Sequence, residues 1–224
     1  MIGRIVTFYR SAYAGLPRAA WLMSGVQLIN MSGTMVIFFL SLYLTRKLGF
    51  SVSQAGQVIS GYGFGMLLGT VTSGYLTDRL GAHSVQKISL ACSGIFLIIL
   101  GFQHSFTLVL MLVALYGFSN SALFPANASA MAAICSGELR IKGFVMNRLA
   151  NNLGASIGPV VGGFLALLNY RLLFWVDGIT CLLAADAFVL VFPEARPIPH
   201  TEPHQGNGPA IAWWRDGPFL TMLT

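Results

Sequence analysis

Two apolar runs are joined by the sequence Gly74-Tyr75-Leu76-Thr77-Asp78-Arg79-Leu80-Gly81-Ala82-His83. An adjacent acid and base, Asp78 and Arg79, end the first run, and Gly81 follows two residues later, where it is suited to turn the chain. Charged side chains are costly in the hydrocarbon of a bilayer, so such a pair belongs at the membrane edge. The pattern predicts two membrane helices joined by a short polar turn.

The composition of the whole chain indicates an integral membrane protein. Of 224 residues, 55% are hydrophobic and 9% are charged, and the mean hydropathy is +0.72. An average globular domain has about 25% charged residues. So few charges cannot cover a surface that faces water. Soluble, disordered, collagenous and disulfide-rich secreted classes are therefore excluded, and membrane lipids are the expected surroundings.

Six apolar stretches are long enough to cross a bilayer, which takes about 20 residues in a helix. They lie at roughly 20–45, 54–77, 88–103, 107–131, 144–168 and 172–192. The fold class predicted is an all-α membrane protein. Its domains are a cytoplasmic N-terminal segment at 1–19 and a six-span bundle at 20–192.

The basic residues predict the orientation of the spans. With the N-terminus in the cytoplasm, ten of the 13 lysines and arginines lie on the cytoplasmic side, and three, Arg46, Lys47 and Arg171, lie outside. An excess of Lys and Arg is typical of cytoplasmic loops. Both termini are therefore expected in the cytoplasm, in a multi-pass protein of the bacterial plasma (inner) membrane. The net charge of +6 reflects this topology, and nucleic acid is not an expected partner.

After the sixth span the composition changes. Residues 193–218 are rich in proline and glycine and carry charges of both signs, which predicts a polar cytoplasmic linker. Residues 219–224 are apolar again and are expected to be the truncated start of a further span.

Glycines recur every four residues in the second and fifth spans. They are Gly61, Gly65 and Gly69 in one, and Gly154, Gly158 and Gly162 in the other. A step of four residues keeps these positions on one face of a helix, and small residues at that spacing let helices approach closely in lipid. The two spans hold equivalent places in two three-span units. This predicts two inverted three-helix repeats, a construction used by secondary transporters. The alternative is that each of these glycine stripes, the sets of glycines four residues apart, serves only ordinary helix packing.

Two motifs resemble those of the major facilitator superfamily. The loop after the second span matches its gate motif, G-x-x-x-D-R/K-x-G-R/K-R/K, at Gly74, Asp78, Arg79 and Gly81. The fifth span is similar to the antiporter motif of the superfamily's drug:proton exporters, at Gly154, Gly158, Pro159, Gly162 and Gly163. The resemblance covers essentially the whole chain. It implies half of a major facilitator fold, an N-terminal six-helix bundle that pairs with a C-terminal one around a central cavity.

The resemblance also implies roles for the gate residues. Asp78 would charge the helix end that faces the opposite bundle and hold the cytoplasmic gate shut, while Arg79 would pair with a nearby acid. The alternative is an ordinary ion pair at the membrane edge. The motif's last two basic positions are Ala82 and His83 here, and Val113 stands where the fourth span of the family often has an arginine. Proton coupling therefore has no assigned residue in this half.

Polar residues inside the spans are candidates for the cavity, because they are costly in lipid unless they have a function or a partner. The candidates are Gln27 and Asn30 in the first span, and Arg148 and Asn151 in the fifth.

The sixth span contains two carboxyl groups, Asp177 and Asp186. They are nine residues apart, which is about half a turn net, so they face opposite sides and cannot form a dyad. Asp177 lies close to Arg171 and is expected to be hydrated at the outer interface. Asp186 is deeper and is expected to be buried in a structural pair with Arg148. A proton carrier is the alternative role for Asp186.

The sequence contains no Ser-His-Asp, Cys-His or phosphate-loop pattern, and the three cysteines lack metal-ligand spacing. An enzyme or an ATP-driven pump is not expected, nor is a cofactor or a metal. The function expected is secondary active transport of small molecules, with efflux implied by the resemblance. It would require a larger two-bundle transporter, in which a C-terminal six-span half or a second copy is the partner. The alternative is a non-transporting truncated or half-size membrane module that associates with another six-span bundle.

Overall fold

A computed structural model of the protein describes residues 13–191, and in that range every predicted span is helical. The helices are α1 (Arg18–Gly33), α2 (Val36–Leu42), α3 (Val52–Leu80), α4 (Ala82–Leu100), α5 (Phe106–Ile134), α6 (Glu138–Leu168) and α7 (Tyr170–Val191). The predictions for the first twelve residues, for the linker at 193–218 and for the further span at 219–224 lie outside the described residues.

Within residues 13–191, five helical stretches are long and apolar enough to cross a membrane. The first is Arg18–Lys47, which joins α1, α2 and the π-helical turn Tyr43–Lys47, and the others correspond to α4, α5, α6 and α7. The second predicted span is α3, which has 29 residues but is less apolar because glycine, serine and threonine recur along it. All of these helices pack together, and the all-α six-helix bundle is confirmed.

The first span is broken, although its sequence predicts a continuous helix. The backbone of Thr34 is extended, with ψ at 90°, and the helix starts again at Val36. Two backbone N–H groups at the start of α2, those of Met35 and Val36, donate hydrogen bonds of 3.1 Å to Oδ2 of Asp177 on α7. The break is therefore held by a side chain from the last span.

The boundaries of α3 follow from local signals. Ser51 precedes the helix and forms a capping box: its Oγ accepts the N–H of Gln54, and Oε1 of Gln54 accepts the N–H of Ser51. At the other end, Gly81 has φ at +82°, a conformation that favours glycine, and α4 begins at the next residue. The predicted turn after Asp78 and Arg79 is thus as short as one residue.

The two three-span units are packed in a symmetric way. The second helix of each unit lies against the first helix of the other, since α3 packs along α5, and α6 packs along α1. The third helices, α4 and α7, pack against each other through Gly94 and Gly178. A Cβ atom at Gly94 would lie 2.7 Å from the carbonyl oxygen of Gly178, and one at Gly178 would lie 3.0 Å from the carbonyl oxygen of Gly94. This reciprocal pattern is the one that two inverted repeats produce.

Two clusters of buried side chains form the core along the length of the bundle. One contains the ring pair of Tyr43 and Phe174, whose centroids are 4.7 Å apart. The other contains Met23, Met131 and Phe188, and it packs α1, α5 and α7 together. The clusters fix the depth and rotation of the helices that carry the polar residues described next.

Candidate functional site

A cavity of about 350 Å³ lies between α1, α5 and α6. Its walls are formed by Gln27, Phe124, Asn127, Ala128, Phe144, Val145, Asn147, Arg148 and Asn151. The wall thus combines two aromatic rings, four amide side chains and a single charged group. Three of the predicted cavity residues, Gln27, Arg148 and Asn151, come together here, and their role in binding stays a prediction.

A chain of amide hydrogen bonds joins the three helices at the cavity wall. Nδ2 of Asn127 on α5 donates to Oε1 of Gln27 on α1, at 3.2 Å. Nε2 of Gln27 in turn donates to Oδ1 of Asn151 on α6, at 3.0 Å. Gln27 therefore forms hydrogen bonds to both neighbouring helices, and these bonds fix the spacing of α1, α5 and α6 at the cavity. Within residues 13–191, Oδ1 of Asn127 and Oδ1 of Asn147 are buried without a hydrogen-bond partner.

The predicted pair between Arg148 and Asp186 is wrong. Both side chains are exposed, and in the described part of the chain no ion pair joins them. The reason lies in the rotation of α7, on which Asp177 is completely buried. A residue half a turn away from a buried one must face outward, and Asp186 is in that position. The prediction that the two aspartates face opposite sides is confirmed.

Asp177 is not the hydrated interfacial residue that its distance from Arg171 suggested. Its side chain has no exposed surface, and it accepts the N–H groups that begin α2. Sγ of Cys181 lies 3.8 Å from Oδ1 of Asp177 and 3.5 Å from Oδ1 of Asn30. Asn30, predicted for the cavity, is therefore buried against α7 and lies outside the wall of the 350 Å³ cavity.

The gate motif lies at the exposed end of α3. The guanidinium of Arg79 stacks on the ring of Tyr75, with 4.5 Å from Cζ to the ring centroid, because a residue four positions earlier lies on the same helix face. The expected partnership of Arg79 with a nearby acid is thus not found among residues 13–191. Asp78 and Gly74 are exposed, and Gly81 forms the turn into α4. The gating role of Asp78 toward a second bundle stays a prediction.

The glycine stripe of the antiporter motif faces the break in the first span. Gly154, Gly158 and Gly162 are all buried. A Cβ atom at Gly154 would lie 2.7 Å from the carbonyl oxygen of Leu28, and one at Gly158 would lie 2.7 Å from that of Thr34. Side chains larger than hydrogen are excluded at these distances. The stripe therefore brings the backbone of α6 against that of α1, next to the amide chain of the cavity.

The remaining motif residues are less tightly placed. A Cβ atom at Gly163 would lie 3.8 Å from Cζ of Phe39, which is ordinary van der Waals contact. Pro159 lies inside α6, and the helix continues through it to Leu168. Because proline has no N–H, it leaves one helical carbonyl group without its usual donor.

Two cavity residues, Phe124 and Asn127, cannot be recognised from the apolar pattern of their span. Asn127 and Phe124 lie in a fourth span whose apolar residues surround the whole helix, so no face stands out. Asn120 and Asn127 are seven residues apart, which places both on one side of α5. That spacing is the signal by which Asn127 can be recognised.

The comparisons with known proteins agree with this fold. The family model described as Major Facilitator Superfamily matches residues 22–223. The chain is 27% identical over 169 residues to the uncharacterized MFS-type transporter YttB of Bacillus subtilis (strain 168). The aligned region is 75% of this chain and 42% of YttB. It is 31% identical over 135 residues to the MFS-type transporter YqjV of the same strain, covering 59% of this chain and 32% of YqjV.

A third relative is the quinolone resistance protein NorA of Staphylococcus aureus. It is 25% identical over 169 residues, which is 75% of this chain and 43% of NorA. The chain therefore spans less than half the length of the curated relatives it matches.

Proposed function

This chain belongs to the Major Facilitator Superfamily, and from that we propose that it forms the N-terminal bundle of a secondary active transporter. The transporter would export small molecules by alternating access, as part of a larger two-bundle protein. It acts as a carrier and not as an enzyme. In this proposal the membrane is the bacterial plasma membrane, and both termini lie in the cytoplasm.

The observation that carries the proposal is the cavity between α1, α5 and α6. Small-molecule sites commonly have volumes of about 300–1,000 Å³ and combine apolar walls with a few polar groups. This cavity has about 350 Å³, aromatic rings on its wall and a chain of amides that is already formed. Polar side chains are costly at membrane depth, so a concentration of them around an open volume favours a pathway for solute.

A second bundle is the proposed partner, supplied by a C-terminal six-span half or by another copy. Alternating access requires one bundle to move against another around a shared site. The helix that lines most of the cavity, α6, is also the least covered of the five stretches that are apolar enough to cross a membrane. Only 17% of its most apolar stretch is buried, against 44–50% in the other four. The uncovered face of α6 would contact both the opposing bundle and lipid. The glycine stripe on the other side of α6 would pack against α1.

Export is the proposed direction because of the similarity to a resistance protein. The name of NorA assigns quinolone resistance to that protein. A transporter that protects a cell must lower the internal concentration of the toxic compound. A quinolone is therefore the first compound to test.

The experiment is an accumulation assay in bacteria that lack their main efflux transporters. The cells express the chain alone, a matching C-terminal half alone, or both together, and the internal concentration of a fluorescent quinolone is measured. We expect accumulation to fall only when both halves are present, and to recover when ionophores collapse the ion gradients across the membrane.

A paired variant distinguishes transport through the cavity from an indirect effect. Asn151→Leu removes an amide from the wall, whereas Leu153→Phe changes an exposed apolar position on the same helix. Only the first should restore accumulation. Unchanged accumulation with both halves present, or export by the chain alone, would contradict the proposal.

A further inference from the structure

We infer that the cavity binds the anionic group of an amphipathic organic acid, and that the guanidinium of Arg148 holds this group. The inference rests on the proposed transport function, for which it names the substrate class. It is based on the positive charge of Arg148, on amide oxygens without hydrogen-bond partners and on aromatic rings, all of which line the same cavity.

The positive charge of Arg148 has no counter-charge in the described part of the chain. Residues 13–191 contain four carboxylates, and none of them pairs with Arg148. Asp78 is exposed at the end of α3, and Asp186 faces outward on α7. Asp177 accepts an N–H group at the start of α2, and Glu138 begins α6. Glu138 is ten residues before Arg148, which is about 15 Å along the helix. Arg148 also makes no hydrogen bond within residues 13–191.

Among the residues that line the cavity, Arg148 is the one charged hydrogen-bond donor. The NH₂ groups of Gln27 and Asn127 are already used within the amide chain. Two buried amide oxygens of the wall, Oδ1 of Asn127 and Oδ1 of Asn147, have no hydrogen-bond partner within residues 13–191. Oxygens repel an anion and accept hydrogen bonds, so they fit a hydroxyl or N–H group elsewhere on the same ligand.

The shape of the guanidinium group and the composition of the cavity wall further limit the chemical class of ligand that fits. A guanidinium is planar and presents parallel N–H groups that match the two oxygens of a carboxylate. The rings of Phe124 and Phe144 lie on the same wall and offer apolar surface to the body of the ligand. A small aromatic carboxylic acid satisfies all of these features, and a cation of the same size would meet the charge of Arg148 unfavourably.

The test is a binding measurement that requires no transport. The purified chain in mild detergent is mixed with 2-naphthoate, 2-naphthamide or 2-naphthylmethylammonium, which share one ring system and differ in charge. Binding is followed by the shift in thermal unfolding temperature as each compound is titrated. We expect the carboxylate to stabilise the chain most, and the ammonium compound least.

Two substitutions connect that preference to one side chain. Arg148→Gln should weaken naphthoate binding by roughly tenfold or more, since a charge-assisted pair is lost, and Arg148→Lys should keep part of it. Arg140→Gln is the matched control, because Arg140 is an exposed cation of α6 outside the cavity. Unfolding temperatures without ligand show whether each variant is folded.

The inference is overturned if naphthoate binds no better than naphthamide, or if Arg148→Gln keeps the preference for the carboxylate. Because no gradient is present, a chain that binds naphthoate through Arg148 but exports nothing would overturn only the proposed function. Export that is indifferent to the charge of the compound would leave the proposed function standing and overturn the inference.

Discussion

Oδ2 of Asp177 accepts the backbone N–H of Val36 at 3.1 Å, across 141 residues of sequence. The N–H of Met35 donates to the same oxygen. Helix starts leave N–H groups without helical partners, and inside a membrane no water is present to satisfy them. The carboxylate therefore allows the first span to break beside α6, at the level where Gly158 meets Thr34.

Removing this carboxylate should destabilise the bundle. Asp177→Ala leaves two buried N–H groups without an acceptor and is expected to cost about 2–4 kcal/mol of unfolding free energy. Asp177→Asn keeps one acceptor oxygen and should cost less. Thermal unfolding of the purified chain in detergent measures both. Asp186→Ala, on the exposed side of α7, is the control, and an equal loss for Asp186→Ala and Asp177→Ala would refute the assigned role.

Gly158 and Gly163 of the antiporter motif differ in the space around them, so they should respond differently to one added methyl group. Gly158→Ala places a Cβ atom 2.7 Å from the carbonyl oxygen of Thr34 and should destabilise, by about 1–3 kcal/mol for overpacking. Gly163→Ala has room and should be neutral or slightly stabilising. Unfolding temperature and the yield of a disulfide crosslink between cysteines placed on α1 and α6 report the difference. If the two variants behave alike, the stripe does not face the first span.

The contact between the third helices of the two repeats predicts non-additive behaviour. Gly94→Ala and Gly178→Ala each push α4 and α7 apart at the same point, because each Cβ atom would meet the carbonyl group of the other glycine. Once the helices have separated, the second substitution should cost little. A double-mutant cycle on thermal stability should therefore show a loss smaller than the sum of the single losses. Strict additivity would mean that the two positions do not touch.

Much of the bundle could be predicted from local sequence. The six spans, the turn at Gly81 and the glycine stripes depend on apolar length, on a positive φ and on a spacing of four residues, all of which are local properties. The opposite orientation of Asp177 and Asp186 also follows from helix geometry alone.

The break in the first span and the burial of Asp177 could not be predicted in this way. No proline interrupts residues 18–47, and the bond that holds the break comes from a residue 141 positions later. Helix periodicity shows that two aspartates face opposite sides, but only the neighbouring helices decide which side is inside. The pairing of Arg148 with Asp186 was predicted from depth, and it fails because rotation about α7 matters as much as depth.

The space between α1, α5 and α6 is proposed as a water-accessible binding cavity, and Arg148 on its wall is among the basic residues assigned to the cytoplasmic side. The cavity is therefore expected to open to the cytoplasm. The direct measurement is the reaction of Asn151→Cys with a membrane-impermeant thiol reagent, applied to either side of sealed vesicles that contain the chain together with a C-terminal half. The unsubstituted chain gives the background, and Val160→Cys, an exposed apolar position of α6, is the comparison for a surface in lipid. We expect Asn151→Cys to react from the cytoplasmic side, 2-naphthoate to protect it, and Val160→Cys to stay unreactive. An unreactive Asn151→Cys, or equal reaction at both positions without protection, would show that this space is not a water-accessible binding cavity.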